Sequence, residues 1–353
     1  MEEISMTGCD LHDKNLVLRT SIGRGREEGS TFENTKCSRS AMISKLKDRA
    51  AAAGCNRIVF AYEASGQGYL LHDELWKAGI ECYVLAPTKI KRSEKDKKDK
   101  TDKKDCKRLL ELLRGHFLAG NELPTVGVPT LEQRDDRELT RCRLDVAGEL
   151  QRVKTKIKAL LKRCDEHKPD GMKRSQWLKD LASGKLKRLR NGAQATLESL
   201  ERRAEALKKE IDTLNLKIEE LSQEQRHQES VKQLTKMQGV GILSAMVFLA
   251  EMGSVGRFRN RRQVAAYVGV IPSCNESGQR EDRKGHITRQ GSSHLRRVLC
   301  QCVWTRIRTD REEIKVYDRL KAKNPKKKKI AVVALMRRLA IKMWHTAVAA
   351  KTA

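Results

Sequence analysis

The stretch Arg57-Ile58-Val59-Phe60-Ala61-Tyr62-Glu63-Ala64-Ser65-Gly66 decides the fold of the first third of this chain. Arg57–Tyr62 has the apolar, β-branched and aromatic character of a buried strand, and the run ends in an acid and a small-residue turn. A buried strand needs neighbours, and two other runs qualify: Asn15–Thr20 before it and Glu81–Ala86 after it, the latter stopped by Pro87. Helical spacing fills the gaps over Arg39–Ala53 and Gly68–Ala78. It returns over Asp102–Leu118, where Leu109, Leu110, Leu112 and Leu113 supply an apolar side. Strands first, then strand and helix in alternation, predict an α/β domain with a mixed sheet over residues 1–125.

Beyond that domain the texture becomes long, charged helix, residues 126–230. Leu197, Leu200, Ala204, Leu207, Ile211, Leu214, Ile218 and Leu221 step alternately by three and four, a heptad seam, and Leu150, Val153, Ile157 and Leu160 repeat it more briefly. Turn signals at Pro169-Asp170-Gly171 and Asn191-Gly192 separate the two arms, which predicts an antiparallel helical hairpin or a dimeric coiled coil. The stripes could equally pack within one chain. Residues 231–353 read as a mainly α domain, opened by the turn Gly239-Val240-Gly241 into an apolar helix Leu243–Met252. Such a turn can present N–H groups to a phosphate or simply redirect the chain. The tail Asn324–Lys329 reads as a solvated basic loop.

The 353 residues carry a net charge of +28, which places a polyanion first among partners. No apolar run approaches a membrane span and no leader precedes the first elements, so a soluble, cytoplasmic protein without a membrane partner is expected. The ten cysteines lack any C-x-x-C pair or zinc spacing, and reduced buried thiols are the expectation. Aromatics are only 4 %, which favours backbone contacts over stacking, and Trp304 and Trp344 fall in apolar helical patterns that predict core positions.

Between Lys89 and Arg108, eleven of twenty residues are Lys or Arg, yet aspartates recur at 96, 99, 102 and 105. Carboxylates in a phosphate-binding surface need their own reason. Asp102 and Asp105 share one face at the start of the leucine-bearing helix, Glu63 ends a strand, and Asp10 lies just before the strand-like Asn15–Thr20. If the strands are neighbours and the helix covers them, four acids converge, and two Mg²⁺ ions would balance their charge and could act on a phosphodiester. Taken singly, Asp10 could cap a turn, Glu63 could be a surface residue and Asp102 a helix cap.

The C-terminal part contains Tyr267-Val268-Gly269-Val270-Ile271-Pro272-Ser273-Cys274-Asn275-Glu276-Ser277-Gly278, then Ile287-Thr288-Arg289-Gln290-Gly291 and Leu295-Arg296-Arg297. Glycine after Ser277 leaves room for a phosphate, and Arg280, Arg283, Lys284, Arg289, Arg296 and Arg297 could hold one. Ser277 is thus a candidate nucleophile that needs activation by a base or metal, and also a candidate turn serine.

These motifs resemble the DEDD transposases of bacterial insertion sequences, a group that includes the Piv/MooV-type invertases. Asp10-Leu11-His12, Glu63-Ala64-Ser65-Gly66-Gln67-Gly68-Tyr69 and Lys100-Thr101-Asp102-Lys103-Lys104-Asp105-Cys106 match its acidic motifs. Gly239-Val240-Gly241, Arg257-Phe258 through Pro272, and Ser277-Gly278 match its C-terminal pattern. The resemblance implies a RuvC-like, RNase H-like N-terminal domain whose metal site is Asp10, Glu63, Asp102 and Asp105, loaded with Mg²⁺. It implies Ser277 as the attacking nucleophile, with Ser273 and Ser292 as fallbacks because the spare serine of many members is Glu276 here. It further implies double-stranded DNA partners (element ends and target), a structured non-coding guide RNA, a homodimer or homotetramer, and a nucleoid-associated bacterial setting. Two rival readings of the residues stay open: a RuvC-like nuclease that uses water, and a non-enzymatic nucleic-acid scaffold.

Overall fold

A computed structural model describes residues 3–90, 102–168, 173–185, 189–274, 284–323, 325 and 327–352. The chain divides into two compact units, Met1–Val128 and Pro129–Ala353.

The first unit is built on a five-stranded mixed sheet. In chain order its elements are β1 (Ile4–Leu11), β2 (Asn15–Ile22), β3 (Glu28–Glu33), α1 (Lys36–Ala52), β4 (Arg57–Glu63), α2 (Leu70–Lys77), β5 (Glu81–Leu85) and α3 (Asp102–Ala119). The sheet order is β3-β2-β1-β4-β5: β1, β2 and β3 form an antiparallel meander, while β4 and β5 run parallel to β1. The mixed sheet expected from the sequence is present. Asp10 precedes the Asn15–Thr20 strand as expected, but it also lies inside a further strand, β1, at the centre of the sheet.

Side chains alternate across a strand, so each strand contributes to two cores. Cys9, Phe60 and Tyr62 pack with Met42 and Leu46 of α1 and Leu71 and Leu75 of α2. Met6, Val59 and Ala61 pack on the other face with Leu109, Leu110 and Leu113 of α3. Thr35 caps α1 through Ser38 N–H, which satisfies one of the amides left open at a helix start.

The second unit contains α4 (Leu131–Arg163), α5 (Arg174–Ala182), α6 (Asn191–Ser222), α7 (Gln225–Thr235), α8 (Ile242–Met252), α9 (Arg261–Val268), a hairpin β6 (Pro272–Cys274) and β7 (Lys284–Ile287), then α10 (Ser293–Thr309), α11 (Arg311–Lys323) and α12 (Lys328–Thr352). Thr130 and Gln133 form a reciprocal capping box that fixes the start of α4. The two heptad stripes meet within the chain: Leu150, Val153, Ile157 and Leu160 of α4 pack on Leu197, Leu200 and Ala204 of α6. Short α5 fills the turn of this hairpin with Trp177 and Leu181. Asn191-Gly192, expected as a turn, instead begins α6, and Pro169-Asp170-Gly171 lies outside the described residues. Helix α8 is buried from Ala245 to Met252, and its core includes Leu295, Leu299 and Val303 of α10 and Leu335, Leu339 and Met343 of α12. Trp344 is in this core, its indole N–H donating to the Val255 carbonyl at 2.9 Å. Trp304, expected there too, is instead 43 % exposed. The basic tail is also shorter than expected, because Lys328 and Lys329 already belong to α12.

Candidate active site

Glycine at position 8 organises the acidic site. An added Cβ there would meet the Cys106 carbonyl oxygen and lie 2.5 Å from the Leu110 nitrogen, so the backbone of α3 rests directly on β1. A lone glycine within a strand marks such a close approach. The Cys106 thiol then donates to the Val17 carbonyl at 3.0 Å, and Val17 is the β2 residue paired with Asp10. The turn of α3 that carries Asp105 and Cys106 therefore sits at the level of Asp10.

Asp10 has the parity of Met6, and Glu63 that of Val59 and Ala61, which puts both on the face that α3 covers. The β1–β4 register runs through Cys9 and Tyr62, so Asp10 and Glu63 stand one step beyond it on adjacent strands. Asp102 opens α3 one turn before Asp105. The backbones of β1, β4 and α3 thus place acidic positions that are distant in sequence toward one edge of the sheet.

Asp10 Oδ2 is 3.1 Å from His12 Nε2, and Asp105 Oδ1 is 3.8 Å from Arg108. Asp105 is buried, at 8 % exposure. Hard carboxylate oxygens suit a hard divalent cation. Among the described residues, however, no three His, Cys, Asp or Glu side chains are grouped closely enough to hold a metal ion.

Ser277, Arg280 and Arg283 lie outside the described residues, as does the side chain of Lys284. The fallback serines both have structural bonds: Ser273 Oγ donates to the His286 carbonyl across the β6–β7 hairpin, and Ser292 caps α10 by accepting from Leu295 N–H. Arg289 is exposed with φ at +54°, a left-handed conformation in the turn before α10. Arg296 donates to the carbonyls of Val268 and Gly291, and Arg297 to that of Leu144, so these two guanidiniums brace the start of α10. Burial and the charge of Arg289 lower the pKa of Arg296. Gly239, at φ +80°, faces Arg306 Cγ and the Cys302 carbonyl of α10, a packing role, while Gly241 has open space and precedes α8 as its cap.

A buried polar network absent from the sequence reading joins these parts of the second unit. Glu251 of α8, 2 % exposed, receives two hydrogen bonds from Arg141 of α4 at 2.7 and 3.0 Å. Its backbone carbonyl accepts from Tyr267 Oη at 2.8 Å and Arg137 at 3.1 Å. Burial pushes the Glu251 carboxyl up, but Arg141, Arg137 and the Ser292 hydroxyl outweigh it and hold the group below the ordinary carboxylate value. The only local hint was an acid at the end of an otherwise apolar helix.

The chain thus joins an α/β sheet with acidic positions at one edge to a helical unit, and comparison with known proteins shows the family to which this arrangement belongs. Residues 7–165 match a family model described as "Transposase", the DEDD domain of the IS110 type, and residues 231–318 match the "Transposase IS116/IS110/IS902 family". With these two domains in order, the chain belongs to the IS110/IS116 family of transposases. Two Sinorhizobium fredii relatives bear transposase names. The y4qE protein is 28 % identical over 70 % of this chain, and y4rJ is 27 % identical over 85 % of this chain and 79 % of its own length. The match to y4qE spans 58 % of that protein's length. The transposase for insertion sequence element IS1533 of Leptospira borgpetersenii is 24 % identical over 84 % of each chain. No helix among the described residues is long and apolar enough to cross a membrane.

Proposed function

We propose that this chain is a DNA transposase that cuts and rejoins strands by transesterification at Ser277, assisted by Mg²⁺ at the DEDD acids. The observation that carries the reading is the seat of α3, the helix of Asp102 and Asp105, on Gly8 of the strand that carries Asp10, in a chain with transposase-family domains. The sheet order β3-β2-β1-β4-β5, with two parallel strands after an antiparallel meander, supports a RuvC-like N-terminal domain.

Asp10, Glu63, Asp102 and Asp105 would hold the cation, which supplies neutralising charge to the reacting phosphoryl group. Ser277 Oγ attacks the phosphorus of a DNA phosphodiester. The Oγ–P bond forms, the bond from phosphorus to the leaving sugar oxygen breaks, and the serine proton passes to that oxygen. When the sugar hydroxyl of a new strand attacks the phosphoserine, the same events run in reverse and phosphodiester energy is conserved without a nucleotide cofactor. Arg280, Arg283, Lys284 and Arg289 hold the phosphate, while Arg296 and Arg297 keep the adjoining turn in place. A guide RNA bound by residues 1–125 and the hairpin of residues 126–230 selects the insertion-sequence ends and the target duplex, and a homodimer or homotetramer assembles the sites.

The test is covalent trapping of labelled element-end DNA with Mg²⁺. Wild-type protein should form an adduct that survives denaturation, and Ser277→Ala and Asp105→Asn should lose it while retaining duplex binding. Cleavage that persists in Ser277→Ala without an adduct would make water the nucleophile and end the serine reading.

A further inference from the structure

Trp304 is the indole that the apolar pattern placed in the core and the fold leaves 43 % exposed. Its ring lies 6.2 Å from that of Tyr317 on α11, and Lys321 Nζ stands 6.0 Å from the Tyr317 centroid. Along α10, Arg297, Gln301, Trp304 and Arg308 are all exposed, and their spacing of three and four puts them in one stripe. Helix α10 contains no acidic residue in its seventeen. Helix α11 supplies acids, but Glu313 is buried against Arg306 and Glu312 pairs with Lys315. Its remaining acid, Asp318, is outnumbered by Arg319, Lys321 and Lys323.

We infer that Trp304, backed by Tyr317 and flanked by Arg308 and Lys321, is a stacking platform for an unpaired base of single-stranded DNA. An exposed flat ring between cations offers a nucleic acid both of the contacts that sequence-tolerant strand binders use, a π-face for a base and charge for the phosphates beside it. A paired base has both faces occupied by its neighbours, so the occupant is an unpaired strand. A second copy of the chain would bring its own +28 charge to a basic stripe, which disfavours self-association there. DNA is favoured over RNA because Trp304 and Tyr317 both fall within the matched C-terminal transposase domain, so this deduction rests on the transposase reading. Strand exchange exposes unpaired bases, and a platform here would hold one of them during rejoining.

The experiment measures equilibrium binding of fluorescein-labelled oligo(dT), oligo(U) and a duplex to the full chain, comparing wild type with Trp304→Ala and Trp304→Phe. Trp304→Ala should weaken oligo(dT) binding roughly 5- to 150-fold, the range of one stacked base, with Trp304→Phe recovering most of the loss. The salt dependence should keep its slope because no charge is removed, and duplex affinity should stay unchanged. Unchanged oligo(dT) affinity overturns the inference, as does an equal loss on duplex. Loss on oligo(U) alone, or a fall in sedimentation mass, would assign the ring to RNA or to a second copy and overturn it as well. Binding needs no chemistry, so failure of the adduct test with Trp304-dependent oligo(dT) binding intact would remove the transposase mechanism and leave the platform standing.

Discussion

Replacing Gly8 with alanine tests whether α3 is truly seated on β1. The new methyl would lie 2.5 Å from the Leu110 nitrogen, where ordinary contact begins at 3.4 Å, so the helix must lift by about 0.9 Å or the strand must bend. Both obstructing groups are backbone, which cannot rotate aside. Overpacking of this kind costs about 1–3 kcal/mol, offset by about 0.4–1 kcal/mol because alanine restricts the unfolded chain, for a net loss of roughly 1–2 kcal/mol. A displacement of that size at Asp105 should reduce strand transfer by about 100-fold, far more than the stability change would explain. Urea titration gives the first quantity as a lowered midpoint at unchanged slope, and the rate of DNA adduct formation gives the second. Gly66, with open space around it, is the control: Gly66→Ala should leave the midpoint unchanged or slightly raised. Wild-type midpoint and wild-type rate in Gly8→Ala would refute the packing that brings the acids together.

In the second unit, Arg141→Ala leaves the buried Glu251 carboxylate without its bidentate partner and should cost about 3 kcal/mol in urea denaturation, since breaking such a pair strands a charge. The carboxyls of Glu251 and Asp136 are both depressed in the folded chain. For Asp136, burial acts upward but hydrogen bonds and charge from His227 and Arg226 prevail. Their contribution is therefore complete above the unfolded carboxylate values of about 3.9–4.3 and is lost as pH falls through the lower folded values, so Glu251→Gln should flatten the acid limb of a stability–pH curve. Leu197 is fully buried in the hairpin, and Leu197→Ala should lower stability by about 2–5 kcal/mol, read as a reduced urea midpoint.

Strands β2, β4 and β5 were legible because their inward residues are apolar and their ends are punctuated. Strand β1 was not, although it is the middle of the sheet. Ser5 and Thr7 are fully buried, and Thr7 and Thr20 satisfy each other's hydroxyls across the β1–β2 pair at 3.1 Å, so polar residues occupy a core strand without an apolar signature. The same blind spot hid Gly8, whose absent side chain is what lets α3 approach. Glu63 was legible as a strand-end residue and Asp102 as a helix-start residue because those placements follow from local pattern, whereas the strand that carries Asp10 was not. Trp304 was misplaced for a different reason: Leu295, Val298, Leu299, Cys302 and Val303 mark the buried stripe of α10, and Trp304 lies beside Val303 but past the stripe's edge. Helical period distinguishes faces, but at a stripe edge only the neighbouring helix decides burial. Glu251 and Arg141 are over a hundred residues apart, so no window on the sequence could join them.

The central claim, that the acidic site serves a serine nucleophile, is tested most directly by locating the DNA attachment. Peptide mass spectrometry of the wild-type adduct, formed with Mg²⁺ and digested to a nucleotide remnant, should find the phosphate on Ser277 and should find no adduct when the reaction is run with Asp105→Asn. A remnant on Ser273, Ser292 or any other residue, or undiminished adduct in Asp105→Asn, would contradict the account.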